Sequence, residues 1–229
     1  MNDVAKKILI LLDKSNLKKA KIEIIFKIQN ISYGIRNKDI MGGIIQSWFE
    51  VFLTENNINW KPRGSQEYPD FILDNNEYLE VKCYFKDSSP AFDVANFSAL
   101  INDLPINPKR LDSGYLIFNY GFNESEITLN DYWIKKIWEI TSPASKNASN
   151  GNKITAQVTR GIIKNIRPLN FPAKPDNCFP SRRSFVKSLK ETIDVFSSQS
   201  ITSDSKFKSG DQWFDMVSKK YKEQTNKEL

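Results

Sequence analysis

The stretch "YPDFILDNNEYLEVKCYF", residues 68–85, gives the clearest indication of the fold. Two β-rich runs, "FIL" and "YLEVKCYF", are separated by the polar "DNNE", a pattern typical of two strands joined by a tight turn. Side chains alternate across a strand, so Glu80 and Lys82 share one face while Leu79 and Val81 point to the other. The stretch therefore predicts a β-hairpin with two ionisable side chains on the same face.

Asp70 lies on the first strand of this hairpin. Antiparallel pairing through the turn would bring Asp70 close to Glu80 and Lys82 at one end of the hairpin. Carboxylates are hard oxygen ligands suited to Mg²⁺, and a lysine beside the ion can orient a water molecule. The alternative interpretation is an exposed hairpin face whose charges form a surface ion pair of little consequence.

Helices are predicted on both sides of the hairpin in the sequence. "IMGGIIQSWFEVFLTEN", residues 40–56, repeats apolar residues at helical spacing, with Asp39 as N-cap. "SSPAFDVANFSALINDL", residues 88–104, has the pattern of a helix capped by Ser89. These two segments predict one core-packing helix before the hairpin and one helix after it.

The remaining elements complete an α/β pattern. "SGYLIFNYGF" is an apolar run typical of a strand buried on both faces, lying beside the hairpin in the same sheet. "DYWIKKIWEI", residues 131–140, fits a helix or a strand equally well. The other predictions are two short N-terminal helices within 4–30, a pair of strands around Gly161 within 154–168, and closing helices in 182–196 and 210–224.

Composition excludes several classes of catalytic site. The chain has 229 residues and no histidine, which rules out Ser-His and Cys-His catalysis and histidine metal ligands. Two cysteines are too few for a disulfide framework or a cysteine zinc site. The net charge of +6 favours an anionic partner such as nucleic acid, although a basic soluble protein needs no such partner. The longest apolar runs are too short to span a bilayer, so we expect a cytoplasmic protein.

The letters Pro69-Asp70 followed by Glu80-Val81-Lys82 resemble the signature of the PD-(D/E)xK nuclease superfamily. The predicted order of elements is similar to the α-β-β-β-α-β core of that superfamily. The resemblance implies an α/β fold, a restriction-endonuclease-like mixed central sheet flanked by helices, with an N-terminal helical appendage. It implies a single endonuclease domain over residues 1–229, comprising the helical appendage (1–36), the catalytic core (37–122), and DNA-binding and closing elements (123–229).

The whole chain also resembles a type II restriction endonuclease. "SSPAFDVANF" and "IWEI…GIIKNIRP" are similar to the NgoBV-like enzymes, which read GGNNCC. The resemblance implies Mg²⁺-dependent hydrolysis of phosphodiester bonds in specific double-stranded DNA sites by a homodimer, with no membrane partner. Asp70 and Glu80 would bind the metal and Lys82 would position water, with Glu50 on the preceding helix as a further metal ligand. Gln46, one turn earlier, occupies the other position from which that helix could contribute.

Candidate DNA contacts are the serines after the hairpin and a basic segment near the C-terminus: Ser88, Ser89, Arg182, Arg183 and Lys187. A serine-rich helix N-terminus binds phosphate well, and arginine suits phosphates and guanine edges. Their alternative roles are ordinary helix capping and solvated surface charge. Two other functions stay open from the sequence: a different PD-(D/E)xK nuclease acting in repair, on junctions or on RNA, and a non-catalytic basic nucleic-acid-binding domain.

Overall fold

The computed structural model of the protein describes residues 3–34, 40–62, 67–123, 126–145, 151, 153–196 and 207–229. The chain divides into two compact units, Met1–Ser89 with Gly114–Lys135, and Pro90–Ser113 with Lys136–Leu229. The assignment of the chain to a single domain stays a prediction, and the predicted Asp39 cap lies outside the described residues. No helix within those ranges is long and apolar enough to cross a membrane.

Five α-helices and eleven strands are described, and the first unit holds α1, α2, β1–β6, β8 and β9. In chain order the elements are α1 (Asp3–Lys14), β1 (Ala20–Ile22), β2 (Ile25–Ile28), β3 (Ile31–Gly34), α2 (Met41–Glu55), β4 (Trp60–Pro62), β5 (Phe71–Leu73), β6 (Glu77–Phe85), β7 (Ala95–Asn96), α3 (Phe97–Asp103), β8 (Gly114–Asn123), β9 (Glu126–Lys135), β10 (Ala156–Thr159), β11 (Ile162–Ile166), α4 (Arg182–Val195) and α5 (Gly210–Thr225).

A six-stranded mixed sheet organises the first unit, in the order β1-β9-β8-β6-β5-β4. The central pair β6 and β8 is parallel, and the other neighbours are antiparallel. Residues 114–121 of β8 are all buried, as its continuous apolar run predicts. Of the segment 131–140, which fitted a helix or a strand equally well, residues 131–135 extend β9 and Ile137–Glu139 form a short 3-10 helix. The predicted mixed central sheet flanked by helices is confirmed.

Helices α1 and α2 bury their apolar faces in one core with the sheet. The periodicity of α2 places Met41, Ile45 and Phe49 on one side, and all three are buried. That core also contains Leu79 and Val81 of β6, so α2 packs on the sheet face to which these two side chains point. The opposite face of β6 carries Glu80 and Lys82, as alternation along the strand requires.

The predicted second helix within residues 4–30 is wrong. After α1 the chain forms β1, which pairs with Ile127–Leu129 of β9, followed by the β2–β3 hairpin. Gln29 in the turn of that hairpin has φ 51°, a left-handed conformation that does not propagate a helix. Pairing with β9 therefore outweighs the local helical spacing of apolar residues, and the N-terminal segment adds a strand to the central sheet.

The predicted helix over residues 88–104 begins later than expected. Helix α3 starts at Phe97, and Asn96 rather than Ser89 caps it, accepting a hydrogen bond from the backbone of Ala99. Before it, β7 pairs with β11. Arg167, just after β11, forms an ion pair with Asp93 at 2.6 Å. These contacts stabilise an extended chain where the sequence pattern favoured the first turns of a helix.

The second unit contains the three-stranded sheet β10-β11-β7 and helices α3, α4 and α5. Strands β10 and β11 flank Gly161, whose φ of +77° suits the glycine in the connecting turn. Helices α4 and α5 pack together. Trp213 of α5 is fully buried and donates its indole N–H to the carbonyl of Ile101 at 2.8 Å. The predicted strand pair and closing helices are confirmed.

Candidate active site

The register of the β5–β6 hairpin brings Asp70 to Glu80. Phe71 lies opposite Leu79 and Ile72 opposite Tyr78, so the next pair outward is Asp70 with Glu80. Residues directly opposite in an antiparallel pair place their side chains on the same face. The predicted convergence of the two carboxylates at one end of the hairpin is therefore present in the structure.

Side chains take over the hydrogen bonding where the β5–β6 ladder ends. The backbone N–H of Val81 donates to Oδ2 of Asp70 at 2.7 Å, and the backbone N–H of Asp70 donates to Oε2 of Glu80 at 3.2 Å. Pro69 has no N–H and cannot continue the ladder beyond Asp70. The reciprocal bonds between the two strands fix the position of both carboxylates.

Lys82 completes the cluster from the same face of β6. Its Nζ donates to Oε1 of Glu80 at 2.7 Å. The side chains of Lys82 and Glu80 are 23% and 11% exposed, so the pair is largely withdrawn from water. Since the ammonium carries three N–H donors, two donors remain for other partners after the bond to Glu80.

The surroundings of Asp70 destabilise the ionised form of its carboxyl group. Burial raises the pKa of Asp70 to about 6, and the nearby negative charge of Glu80 acts in the same direction. The backbone N–H of Val81 and the charge of Lys82 oppose this shift only in part. Two partly buried carboxylates with a single ammonium leave negative charge uncompensated, which is the electrostatic environment that a divalent cation stabilises.

The donor set fits Mg²⁺. This ion takes few protein ligands, commonly one or two carboxylates, and fills its other positions with water and substrate phosphate oxygens. Asp70 and Glu80 supply such a pair. Across the described ranges, no group of three Asp, Glu, Cys or His side chains is gathered closely enough to hold a metal ion.

Glu50, the predicted further ligand, is half-buried on α2. It is not gathered with Asp70 and Glu80 into a three-carboxylate cluster. Helix α2 packs on the Leu79 and Val81 face of the sheet, whereas Glu80 points to the other face. Gln46, one turn earlier, is also half-buried on α2. A role for either residue in metal binding stays a prediction.

Ser88 and Ser89 are exposed in the turn that follows β6. Ser88 bonds locally, because both its N–H and its hydroxyl donate to the carbonyl of Phe85. Since α3 begins only at Phe97, neither serine lies at a helix N-terminus, and the predicted helix-terminal anion site is absent from this turn. A contact of the two hydroxyl groups with DNA stays a prediction.

Arg182, a predicted DNA contact, is held inside the second unit. Its Nη2 pairs with Oδ1 of Asp112 at 2.6 Å, and its guanidinium lies 5.2 Å and 4.4 Å from the rings of Trp138 and Tyr221. The hydroxyl of Tyr221 donates to Oδ2 of Asp112 at 2.7 Å. These contacts indicate that Arg182 joins α4 to α5 and to the turn at Asp112.

Arg183 and Lys187 differ from Arg182 in their surroundings. Both are exposed on α4 and lie four residues apart, so they form one basic strip on the helix surface. Their accessibility is compatible with the predicted DNA contact, which stays a prediction.

Further polar residues line the face that carries Glu80 and Lys82. Tyr84 follows on β6, opposite Asn119 of β8, and its ring stacks near Trp133 of β9 with centroids 6.4 Å apart. Burial raises the pKa of Tyr84, and a hydrogen bond with Asn119 lowers it. The alternation "EVKCYFK" already places Tyr84 and Lys86 on the face of Lys82, whereas Asn119 is added only by the parallel register.

Comparison with known proteins identifies a family model and two relatives of similar sequence. A model of the NgoBV restriction endonuclease family matches residues 2–229. The type II restriction enzyme NlaIV of Neisseria lactamica is 32% identical over 192 residues, covering 80% of this chain and 77% of the relative. The type II restriction enzyme NgoBV of Neisseria gonorrhoeae is 32% identical over 139 residues, 57% of this chain and 78% of the relative.

A solved structure agrees with the sequence relatives. The NlaIV restriction endonuclease superposes with a TM-score of 0.85 at 28% identity, over 98% of this chain and 91% of that one. The family model matches nearly the whole length of the chain, including the hairpin that carries the two carboxylates and the lysine. The sequence match and the structural likeness therefore agree. The chain belongs to the NgoBV family of type II restriction endonucleases.

Proposed function

We propose that this restriction endonuclease hydrolyses double-stranded DNA at a specific site in a Mg²⁺-dependent reaction centred on Asp70, Glu80 and Lys82. The observation that carries the proposal is the convergence of these three side chains at the end of the β5–β6 hairpin. Membership of the restriction endonuclease family supports DNA as the substrate.

Asp70 and Glu80 would hold the ion. Bound Mg²⁺ supplies stabilisation of the negative charge that builds on the scissile phosphate. The protein's own contribution is to fix the two carboxylates, since each accepts a hydrogen bond from the backbone of the opposite strand. Asp70 must lose its proton to act as a ligand, so we expect activity to fall as the pH drops below about 6.

Lys82 would position the attacking water. With one N–H bonded to Glu80, its ammonium can donate to a water molecule or to a phosphate oxygen next to the carboxylates. Hydrolysis forms a bond from the water oxygen to phosphorus and breaks one ester bond between phosphorus and a sugar oxygen. The water gives up its protons: one is taken up, through solvent, by the departing sugar oxygen, which becomes a hydroxyl, and the other goes to the phosphate product or to solvent. By holding the water in line, Lys82 would lower the entropic part of the barrier.

A homodimer would provide the second active site needed to cut both strands. A two-fold symmetric protein matches a palindromic DNA site, because each subunit then reads an equivalent half-site. The resemblance of the chain to NgoBV-like enzymes makes GGNNCC the first target to test. In this proposal Arg183 and Lys187 contribute positive charge that binds the DNA backbone.

A duplex cleavage assay tests the proposal. One labelled duplex carries GGNNCC and a second carries the same bases in shuffled order, each incubated with Mg²⁺ or with a chelator. We expect Mg²⁺-dependent cutting of the first duplex alone, and loss of cutting in Asp70→Ala and Glu80→Ala. Asp74→Ala, which removes an exposed carboxylate next to β5, is the matched control and should cut normally.

Two results would contradict the proposal. Full cutting by Asp70→Ala would show that Asp70 is not needed as a metal ligand. Full cutting in the presence of chelator would show that the reaction does not depend on a metal ion. Mg²⁺-dependent cutting of plasmid DNA at another sequence would keep the catalytic assignment and replace only GGNNCC. Sequencing the ends of the products would then give the target.

A further inference from the structure

We propose that Lys86 contacts a backbone phosphate of the bound DNA and that Gly121 leaves the space through which its side chain passes to make this contact. The inference rests on the proposed function, because it places Lys86 on the same sheet face as Glu80 and Lys82. Lys86 follows Glu80, Lys82 and Tyr84 along the same face of β6. Its proposed role is to bind DNA, not to take part in the reaction.

Strand pairing places Lys86 in line with the catalytic residues. The parallel register sets Lys82 opposite Ile117 and Phe85 opposite Tyr120. The N–H of Lys86 then donates to the carbonyl of Tyr120 at 2.7 Å, so the pairing continues one residue beyond β6. Alternation therefore gives the side chain of Lys86 the same face as that of Lys82.

Gly121 gives independent evidence for the direction of this side chain. A Cβ atom built on Gly121 would lie 2.6 Å from Cδ and 2.8 Å from Cε of Lys86, much closer than real Cβ contacts allow. The stem of Lys86 therefore crosses directly over the backbone of β8 at this glycine. A Cβ at residue 121 points to the face of Asn119, which is the Tyr84 side of the sheet. A side chain at 121 would require the stem of Lys86 to shift, and it would also crowd Nδ2 of Asn130, which lies 3.0 Å from the same point.

The charge of Lys86 is available to a ligand. Lys86 is exposed, and within the described part of the chain it forms no ion pair, in contrast to Lys82, which is paired with Glu80. Four residues of strand separate the two lysines by about 13 Å. The ammonium of Lys86 would thus reach a different phosphate of the DNA backbone from the one that is cleaved. A lysine used in this way acts as a point charge that fixes register without reading sequence.

The salt dependence of DNA binding tests the proposal without requiring turnover. The full-length protein is titrated onto a labelled 30-bp duplex in buffer with Ca²⁺ in place of Mg²⁺, at several NaCl concentrations. Each phosphate contact contributes about 0.9 to the slope of log K against log[salt]. We expect Lys86→Ala to reduce the slope by about 0.9 and to weaken binding roughly tenfold, while Lys86→Arg keeps most of both. Lys7→Ala, which removes an exposed lysine of α1, should match the wild type.

Gly121→Ala tests the positioning role with the charge retained. We expect the folded variant, checked by its thermal melting curve, to show a slope between those of the wild type and Lys86→Ala, because the charge is kept but the stem must shift. A wild-type slope in Lys86→Ala would overturn the phosphate contact. A wild-type slope in folded Gly121→Ala would overturn the role of Gly121. Because these titrations need no cleavage, they can succeed or fail independently of the Asp70→Ala cleavage assay.

Discussion

Among the ion pairs of the described residues, those at Lys82 and at Arg182 are the most instructive to compare, because they differ in how their charges balance. In the first unit, Lys82 faces Glu80, with Asp70 immediately beside them. In the second unit, Arg182 faces Asp112, whose other oxygen accepts the hydroxyl of Tyr221. The first cluster holds two carboxylates for one cation, and the second holds one carboxylate for one cation.

This difference indicates that the Lys82 cluster is suited to catalysis and that the Arg182 cluster is a structural contact. The guanidinium of Arg182 lies between two aromatic rings and pairs with one carboxylate, while its buried Nε has no hydrogen-bond partner among the described residues. The hairpin cluster leaves Asp70 with its pKa raised to about 6 by burial and by Glu80. Perturbed carboxyl groups of this kind are concentrated at functional sites. The comparison predicts that the first cluster affects cleavage and the second affects folding.

Removing Lys82 should have the largest effect. We expect Lys82→Ala to slow single-turnover cleavage on the order of 10³-fold, because water orientation and charge stabilisation are both lost. Binding to the duplex in Ca²⁺ should stay within about threefold of the wild type, since the other basic residues remain. Quench-flow cleavage under saturating enzyme measures the rate. A rate equal to that of Lys7→Ala would show that the hairpin cluster is an ordinary ion pair.

Removing Arg182 should act on stability instead. We expect Arg182→Ala to lower the free energy of unfolding by about 2 kcal/mol, since Asp112 loses its partly buried partner and two cation–π contacts disappear. Urea denaturation measures this value, and Arg183→Ala, an exposed neighbour, should change it by less than about 0.5 kcal/mol. A stable Arg182→Ala variant with tenfold weaker DNA binding would instead favour the original prediction of a DNA contact.

Neutralising Asp70 should stabilise the fold while abolishing activity. The folded protein keeps the Asp70 proton up to about pH 6, and the unfolded chain releases it near 3.9. Between these values the folded state binds more protons, so the Asp70 contribution to stability falls as the pH rises through the window. Asn does not ionise, so Asp70→Asn does not lose stability as the pH rises. We expect this variant to be more stable than the wild type by about 1–3 kcal/mol at pH 7.5.

The pH dependence distinguishes this effect from a general one. Unfolding free energies measured at pH 4.5 and pH 7.5 should show a smaller advantage of Asp70→Asn at the lower pH, because the wild-type carboxyl is then largely protonated in the fold. Asp74→Asn is the control, with an exposed carboxylate and no such gain. An equal advantage at both pH values would argue against charge strain at Asp70.

The smallest predicted effect concerns Tyr221. Tyr221→Phe removes the hydroxyl that donates to Asp112 and keeps the ring against Arg182, so we expect a loss of about 1 kcal/mol of stability. A double-mutant cycle with Arg182→Ala measures the coupling between the two residues. Additive effects would show that the ring and the carboxylate support Arg182 independently, whereas the shared Asp112 predicts coupling.

Some elements could be predicted from the sequence because their signal is local. The stripe of α2 and the alternation of "YLEVKCYF" each follow from one short segment, and both are confirmed. The second helix predicted within residues 4–30 was wrong because β1 pairs with β9, about 105 residues further along the chain, as the Lys21 to Glu126 contact shows. A partner at that distance leaves no trace in local periodicity.

The sequence by itself determined that Glu80 and Lys82 share a face, since alternation is a property of any strand, and that histidine chemistry is excluded, since the residue is absent. Only the tertiary structure decided that Asp70 lies beside Glu80, because hairpin register depends on the turn and on which backbone groups pair. It alone separated Arg182 from Arg183, because burial depends on what packs against a helix face. It also placed Lys86 across Gly121, a contact made by a strand pairing of distant segments.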